Sequence, residues 1–110
     1  VCSLTENKFI TASNDLRIRI WNKDQNVKNI DNAHELIIRD IKSKDNSEFY
    51  TCSNDQTIKL WNMFGQNLKT LSGHDGFIFS IFLRGDLIFS CGDDKVVKVW
   101  QGKFFVINRS

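Results

Sequence analysis

The sequence predicts an all-β chain made of the same antiparallel sheet repeated. Three observations carry this. The tryptophans Trp21, Trp61 and Trp100 recur at intervals of 40 and 39 residues. Each closes a short run in which apolar and basic residues alternate, and upstream of each run sits a turn rich in Asn and Asp. Self-similarity at a fixed period of this size marks a supersecondary unit copied along the chain, each copy burying its neighbour's apolar face.

The frame is tighter than the tryptophans alone. Six positions before each indole stands a carboxylate: Asp15, Asp55 and Asp94. Four positions before each carboxylate stands a hydroxyl: Thr11, Thr51 and Ser90. The two histidines, His34 and His74, precede the last two carboxylates by 21 and 20 residues. Within each unit a β-rich run leads to the hydroxyl and small neighbours: Phe9–Ser13, Phe49–Ser53 and Ile88–Gly92. The Asn/Asp turns follow (Asn14-Asp15, Asn54-Asp55, Asp93-Asp94), residue types that favour hairpin reversal. Next come Ile18–Trp21, Ile58–Trp61 and Val97–Trp100, whose period-two alternation with β-branched residues is a strand pattern. Further strands are expected at Val27–Ile30, Ile38–Ile41, Leu68–Leu71, Ile78–Leu83 and Phe104–Ile107. The chain has no Pro, so no strand is demoted on that account.

This frame resembles the WD-repeat family over essentially the whole chain. The residues after the tryptophans are Asn22, Asn62 and Gln101, where the family often has Asp. The resemblance implies a β-propeller fragment of about three four-stranded antiparallel blades, part of a seven-bladed WD-repeat propeller. Residues 1–30 form a partial blade, with Val1-Cys2 the tail of its first strand, and 31–70 and 71–110 form two full ones. Three blades do not close a ring, so two apolar blade faces are expected to stay open.

Composition narrows the function classes. Hydrophobic residues make up 41% and charged residues 25%, an ordinary globular balance. A net charge of +2 creates no strong field, so a nucleic-acid partner is not implied. No apolar run approaches the roughly 20 residues that span a bilayer, so no membrane partner is expected. The first residues lack the basic and apolar segments of a signal peptide. The missing initiator Met suggests a piece of a longer protein. Three cysteines (Cys2, Cys52 and Cys91) without close pairing suit a reducing compartment, the cytoplasm or also the nucleus. For that reason the sequon-like triplet Asn108-Arg109-Ser110 carries no weight.

His74, Ser90 and Asp94 have the residue types of a nucleophilic triad, and His34, Thr51 and Asp55 repeat the set. The repetition decides against a hydrolase. An active site is needed once, whereas a bracing network is needed in every blade. The WD-repeat resemblance implies such a network: Asp55 accepts from His34, His34 donates on to Thr51, and the Thr51 hydroxyl reaches the Trp61 indole N–H. The last blade would use Asp94, His74, Ser90 and Trp100, and the first Thr11, Asp15 and Trp21. No catalytic residue, metal ligand set or cofactor is expected. The histidines fall in different blades, the cysteines stand alone, and no Gly-rich phosphate loop occurs.

In the family frame, three positions per blade reach a docking face: third and fifth after the histidine, and the one before the turn carboxylate. These are Ile37, Arg39 and Asn54 in the second blade and Phe77, Phe79 and Asp93 in the third; only Asn14 is assignable in the first. An apolar patch with a polar rim is the make-up of a protein-binding hot spot. A closer resemblance lies in Glu6–Asp15, in Gly73–Phe79 and above all in Ser90-Cys91-Gly92-Asp93-Asp94. These stretches are similar to the propeller of the phospholipase A2-activating protein family. That resemblance implies a non-catalytic module that binds ubiquitin in ubiquitin-dependent protein degradation. A partner AAA-type segregase ATPase would be reached through domains outside this chain. The alternative is a generic WD-repeat scaffold of another pathway, such as RNA processing or trafficking.

Overall fold

In the computed structural model the described residues are 2–3, 8–12, 16–23, 25–45, 47–72, 76–85, 87–93, 97–101 and 104–109, with backbone alone for 2–3, 26–27 and 104–109. They form three four-stranded sheets. The first holds β1 (Cys2–Ser3), β2 (Lys8–Ala12), β3 (Ile18–Asn22) and β4 (Gln25–Ile30). The second holds β5 (Ile38–Ser43), β6 (Glu48–Ser53), β7 (Thr57–Asn62) and β8 (Asn67–Ser72), and the third β9 (Ile78–Arg84), β10 (Leu87–Gly92), β11 (Val97–Gln101) and β12 (Phe104–Arg109). In each sheet the strands lie in chain order and every neighbouring pair is antiparallel. This is the meander that hairpin turns between successive strands dictate.

The expected strands are present, mostly one or two residues longer than their apolar runs. Polar ends such as Gln25, Ser43 and Asn67 add ladder bonds without adding apolar signal. In the turn after β6, Asp55 Oδ1 accepts from the Thr57 N–H at 3.0 Å, the short-range bond that suits Asp to a turn. Gln56 N–H donates to Ser53 O at 3.2 Å, and Gln56 itself has φ of 74°. Leu16, at the same place in the first sheet, has φ of 66°. Both turns thus place a residue with a Cβ in the left-handed region, a strain the ladder on either side sustains.

First strands adjoin one another: β1 lies against β5, and β5 against β9. The sheets therefore fan out from a common side, and the core sits between them as two slabs. Ile10, Ile18 and Ile20 of the first sheet meet Ile41, Phe49 and Trp61 of the second. Tyr50, Cys52, Ile58 and Leu60 meet Ile78, Ile81, Ile88 and Trp100 of the third. Strand alternation separates the two sets: on β7, Ile58 and Leu60 turn to the third sheet and Trp61 to the first.

The far side of the third sheet is open. Phe89 and Val97 hold the positions of Tyr50 and Ile58, which the neighbouring sheet buries in the previous unit. Here Phe82, 59% exposed, meets Phe89 edge-on at 6.3 Å. Cysteine follows the same logic. Cys52 is buried, its Sγ 3.6 Å from Ile78 O, and burial pushes its thiol pKa far up, whereas Cys91 is exposed.

Candidate functional site: an exposed aromatic cluster and a buried polar relay

All three indoles share one geometry. In the ladder each tryptophan pairs with the residue two before the hydroxyl: Phe9 with Trp21, Phe49 with Trp61, Ile88 with Trp100. On the other side of the same strand a β-bulge falls immediately before each tryptophan. The indole N–H then reaches diagonally to the hydroxyl. Trp21 Nε1 donates to Thr11 Oγ1 at 3.0 Å, Trp61 to Thr51 at 2.9 Å and Trp100 to Ser90 Oγ at 2.9 Å.

In the second sheet the chain of bonds continues. His34 Nε2 lies 2.6 Å from Thr51 Oγ1, and His34 Nδ1 lies 2.8 Å from Asp55 Oδ2. An indole N–H can only donate, so Thr51 Oγ1 accepts from Trp61. The Asp55 carboxylate can only accept, so His34 Nδ1–H donates to it. Between His34 Nε2 and the Thr51 hydroxyl, the donor is whichever of the two carries the shared proton.

Asp55 gathers further donors: the backbone N–H of Glu35 at 3.0 Å, that of Thr57 at 3.0 Å, and the Thr57 hydroxyl. Burial alone would raise its carboxyl pKa. The bonds from His34 and Thr57 outweigh this and hold it well below the usual carboxylate range. Asp15, His74 and Asp94, expected to complete the other two relays, lie outside the described residues.

The residues expected to form a docking face lie in or beside the first strands of the second and third sheets and at the ends of the strands that follow them. Phe77 and Phe79 are 40% and 45% exposed, while Ile78 between them is buried. Their rings meet edge-on at 6.5 Å. Arg39 of the second sheet reaches across, its guanidinium carbon 5.6 Å from the Phe79 ring centroid. Ile37 is exposed, as is Leu36 beside it, so the apolar surface spans both sheets. Asp93 is exposed, and its N–H ties the end of β10 to Phe77 O at 2.8 Å. Asn54 departs from its expected role. It is buried, and its Oδ1 accepts from Arg39 Nε at 2.7 Å, so it holds Arg39 in place and presents little surface itself.

The family pattern "WD domain, G-beta repeat" matches residues 25–62 and 65–101. The chain belongs to this WD-repeat family. A crystal structure of the WD40 beta propeller domain of Doa1 superposes with a TM-score of 0.89 and 36% identity, over 96% of this chain and 37% of that one. Nuclear distribution protein PAC1 of Candida glabrata is 44% identical over 34 residues, which is 31% of this chain and 7% of that protein. The chain thus spans well under half the length of these relatives.

As a WD-repeat blade, the second sheet gives its triad-like residues bracing work. Thr51 is 0% exposed and its oxygen is shared between an indole and an imidazole. Among the described residues no cluster of His, Cys, Asp or Glu could hold a metal, and no helix is long and apolar enough to cross a membrane.

Three residues to which the repeat frame gave no role shape the site. Asp40 Oδ2 accepts from Ser80 Oγ at 3.2 Å and from Ile81 N–H at 3.1 Å, joining two blades at their first strands. Gly92 comes so close to Phe77 that a Cβ there would lie 1.9 Å from the Phe77 carbonyl oxygen. Ser53, its counterpart in the second blade, instead donates its hydroxyl to Leu36 O at 3.0 Å. A carboxylate inside the Ile38–Ile41 run was the one available signal for Asp40. Gly92 and Ser53 read simply as small residues.

Proposed function

We propose that the chain is a non-catalytic protein-interaction module whose face of Ile37, Arg39, Phe77 and Phe79, rimmed by Asp93, binds ubiquitin in ubiquitin-dependent protein degradation. The work would be done in the cytoplasm, with the nucleus as a second compartment. A segregase ATPase of the AAA type would be engaged by parts of the protein outside this segment.

The observation that carries the reading is the half-exposed Phe77–Phe79 pair. It bridges to the second blade through Arg39 and is held at its base by Asp93 and Gly92. Large aromatic rings on a rigid strand offer contact area at low entropic cost, as hot-spot residues do. The ubiquitin assignment draws on likeness: the Ser90–Asp94 segment resembles the phospholipase A2-activating protein family, to which the structural neighbour Doa1 belongs.

The test is titration of isotope-labelled ubiquitin with the full-length protein, wild type and with Phe77→Ala and Phe79→Ala. Saturable binding that each substitution weakens about ten-fold or more, at unchanged melting temperature, supports the reading. Absence of binding, or binding indifferent to both rings, overturns it. A second reading, a WD-repeat scaffold for a different protein partner, draws on the 44% identity with nuclear distribution protein PAC1.

A further inference from the structure

The docking face carries a cation whose best donors are unspent. Among the described residues Arg39 donates through Nε alone, and the acceptor is fixed: Asn54 is buried and its own backbone N–H donates to Ile37 O at 2.9 Å. The Phe79 ring, 5.6 Å from the guanidinium carbon, limits the group from the neighbouring blade.

A guanidinium holds five N–H donors in one plane, arranged as two edges that each match a carboxylate. Anchoring Nε consumes the edge that contains it. The other edge, made of the two terminal amino groups, has no hydrogen-bond or ion-pair partner among the described residues. A long, exposed arginine ordinarily loses any such preference to its own flexibility. This one is held by a buried amide and an aromatic ring, so much of the ordering cost is met before a partner arrives. Apolar residues flank it on both blades: Leu36 and Ile37 on its own, Phe77 and Phe79 on the next.

Resting on the assignment of this face as the docking surface, we infer that Arg39 is a receptor for an acidic side chain of the partner. Its free edge takes a carboxylate bidentate, while apolar residues on either side of that acidic residue cover the rings and the Leu36–Ile37 pair. The partner chemistry is thus a glutamate or aspartate set within an apolar segment. A chain-terminal carboxylate would leave one of the two apolar flanks uncovered.

The experiment uses the full-length protein and three fluorescent Leu/Ile peptides, two blocked at both ends and the third blocked at its N-terminus alone. They carry a central Glu, a central Gln, or a Gln together with a free C-terminal carboxylate. The Glu peptide is expected to bind at least about ten-fold tighter than either of the others. Arg39→Gln should erase that preference, and Arg39→Lys should restore only part of it. Phe79→Ala should weaken all three peptides. Equal binding of Glu and Gln peptides, a preference that survives Arg39→Gln, stronger binding of the C-terminal carboxylate, or binding of none overturns the inference. A protein that prefers the Glu peptide but ignores ubiquitin would overturn the ubiquitin reading alone.

Discussion

Replacing Thr51 by Val removes one oxygen and leaves the side-chain shape nearly unchanged, so its effect isolates the relay from packing. In the native protein that oxygen accepts from the Trp61 indole at 2.9 Å and stands 2.6 Å from His34 Nε2. Both partners are buried. Valine leaves an indole N–H and an imidazole nitrogen without partners, at roughly 1–3 kcal/mol for each orphaned group. The expected loss is therefore about 2–6 kcal/mol, a large share of the roughly 5–15 kcal/mol that holds a typical domain together. Urea unfolding of the full-length protein, followed by circular dichroism, measures it. Thr51→Ser keeps the oxygen and should recover most of the loss. A Thr51→Val loss below about 1 kcal/mol, or a serine variant as weak as the valine one, would refute the bracing role assigned to these residues.

Gly92→Ala should cost stability and blunt docking together, because the added carbon would lie 1.9 Å from the Phe77 carbonyl oxygen and one of the two backbones must shift. Melting and ubiquitin titration check this, and an unperturbed protein would show that the approach is looser than described. Asp40→Ala should destabilise by about 1–3 kcal/mol, since the N–H of buried Ile81 loses its acceptor; urea unfolding reads the value. Because the Asp55 carboxyl is held below its usual range in the folded state, its contribution is complete above the unfolded value of about 3.9 and drains away as pH falls through the folded one. The melting temperature should thus drop as pH is lowered below about 4, and Asp55→Asn should flatten that acid limb. An identical acid slope in the variant would remove Asp55 from the account.

The sequence by itself determined the repeating unit: a hydroxyl, a carboxylate and an indole recur in fixed step between alternating strand patterns. That His34, Thr51, Asp55 and Trp61 act as a set, and that Phe77 and Phe79 face outward, came from the resemblance to the WD-repeat family to which this frame pointed. What contact across blades requires was not readable. Asp40 finds its acceptor role only when β5 comes to lie against β9. Asn54 is buried, and Gly92 is confined by Phe77, through approaches between strands that no local pattern encodes. The recurrent bulge before each tryptophan, which aims the indole at its hydroxyl, likewise exists only once the third and fourth strands pair. Local chemistry fixed which residues could serve. Only the packing of one sheet on the next decided which of them touch.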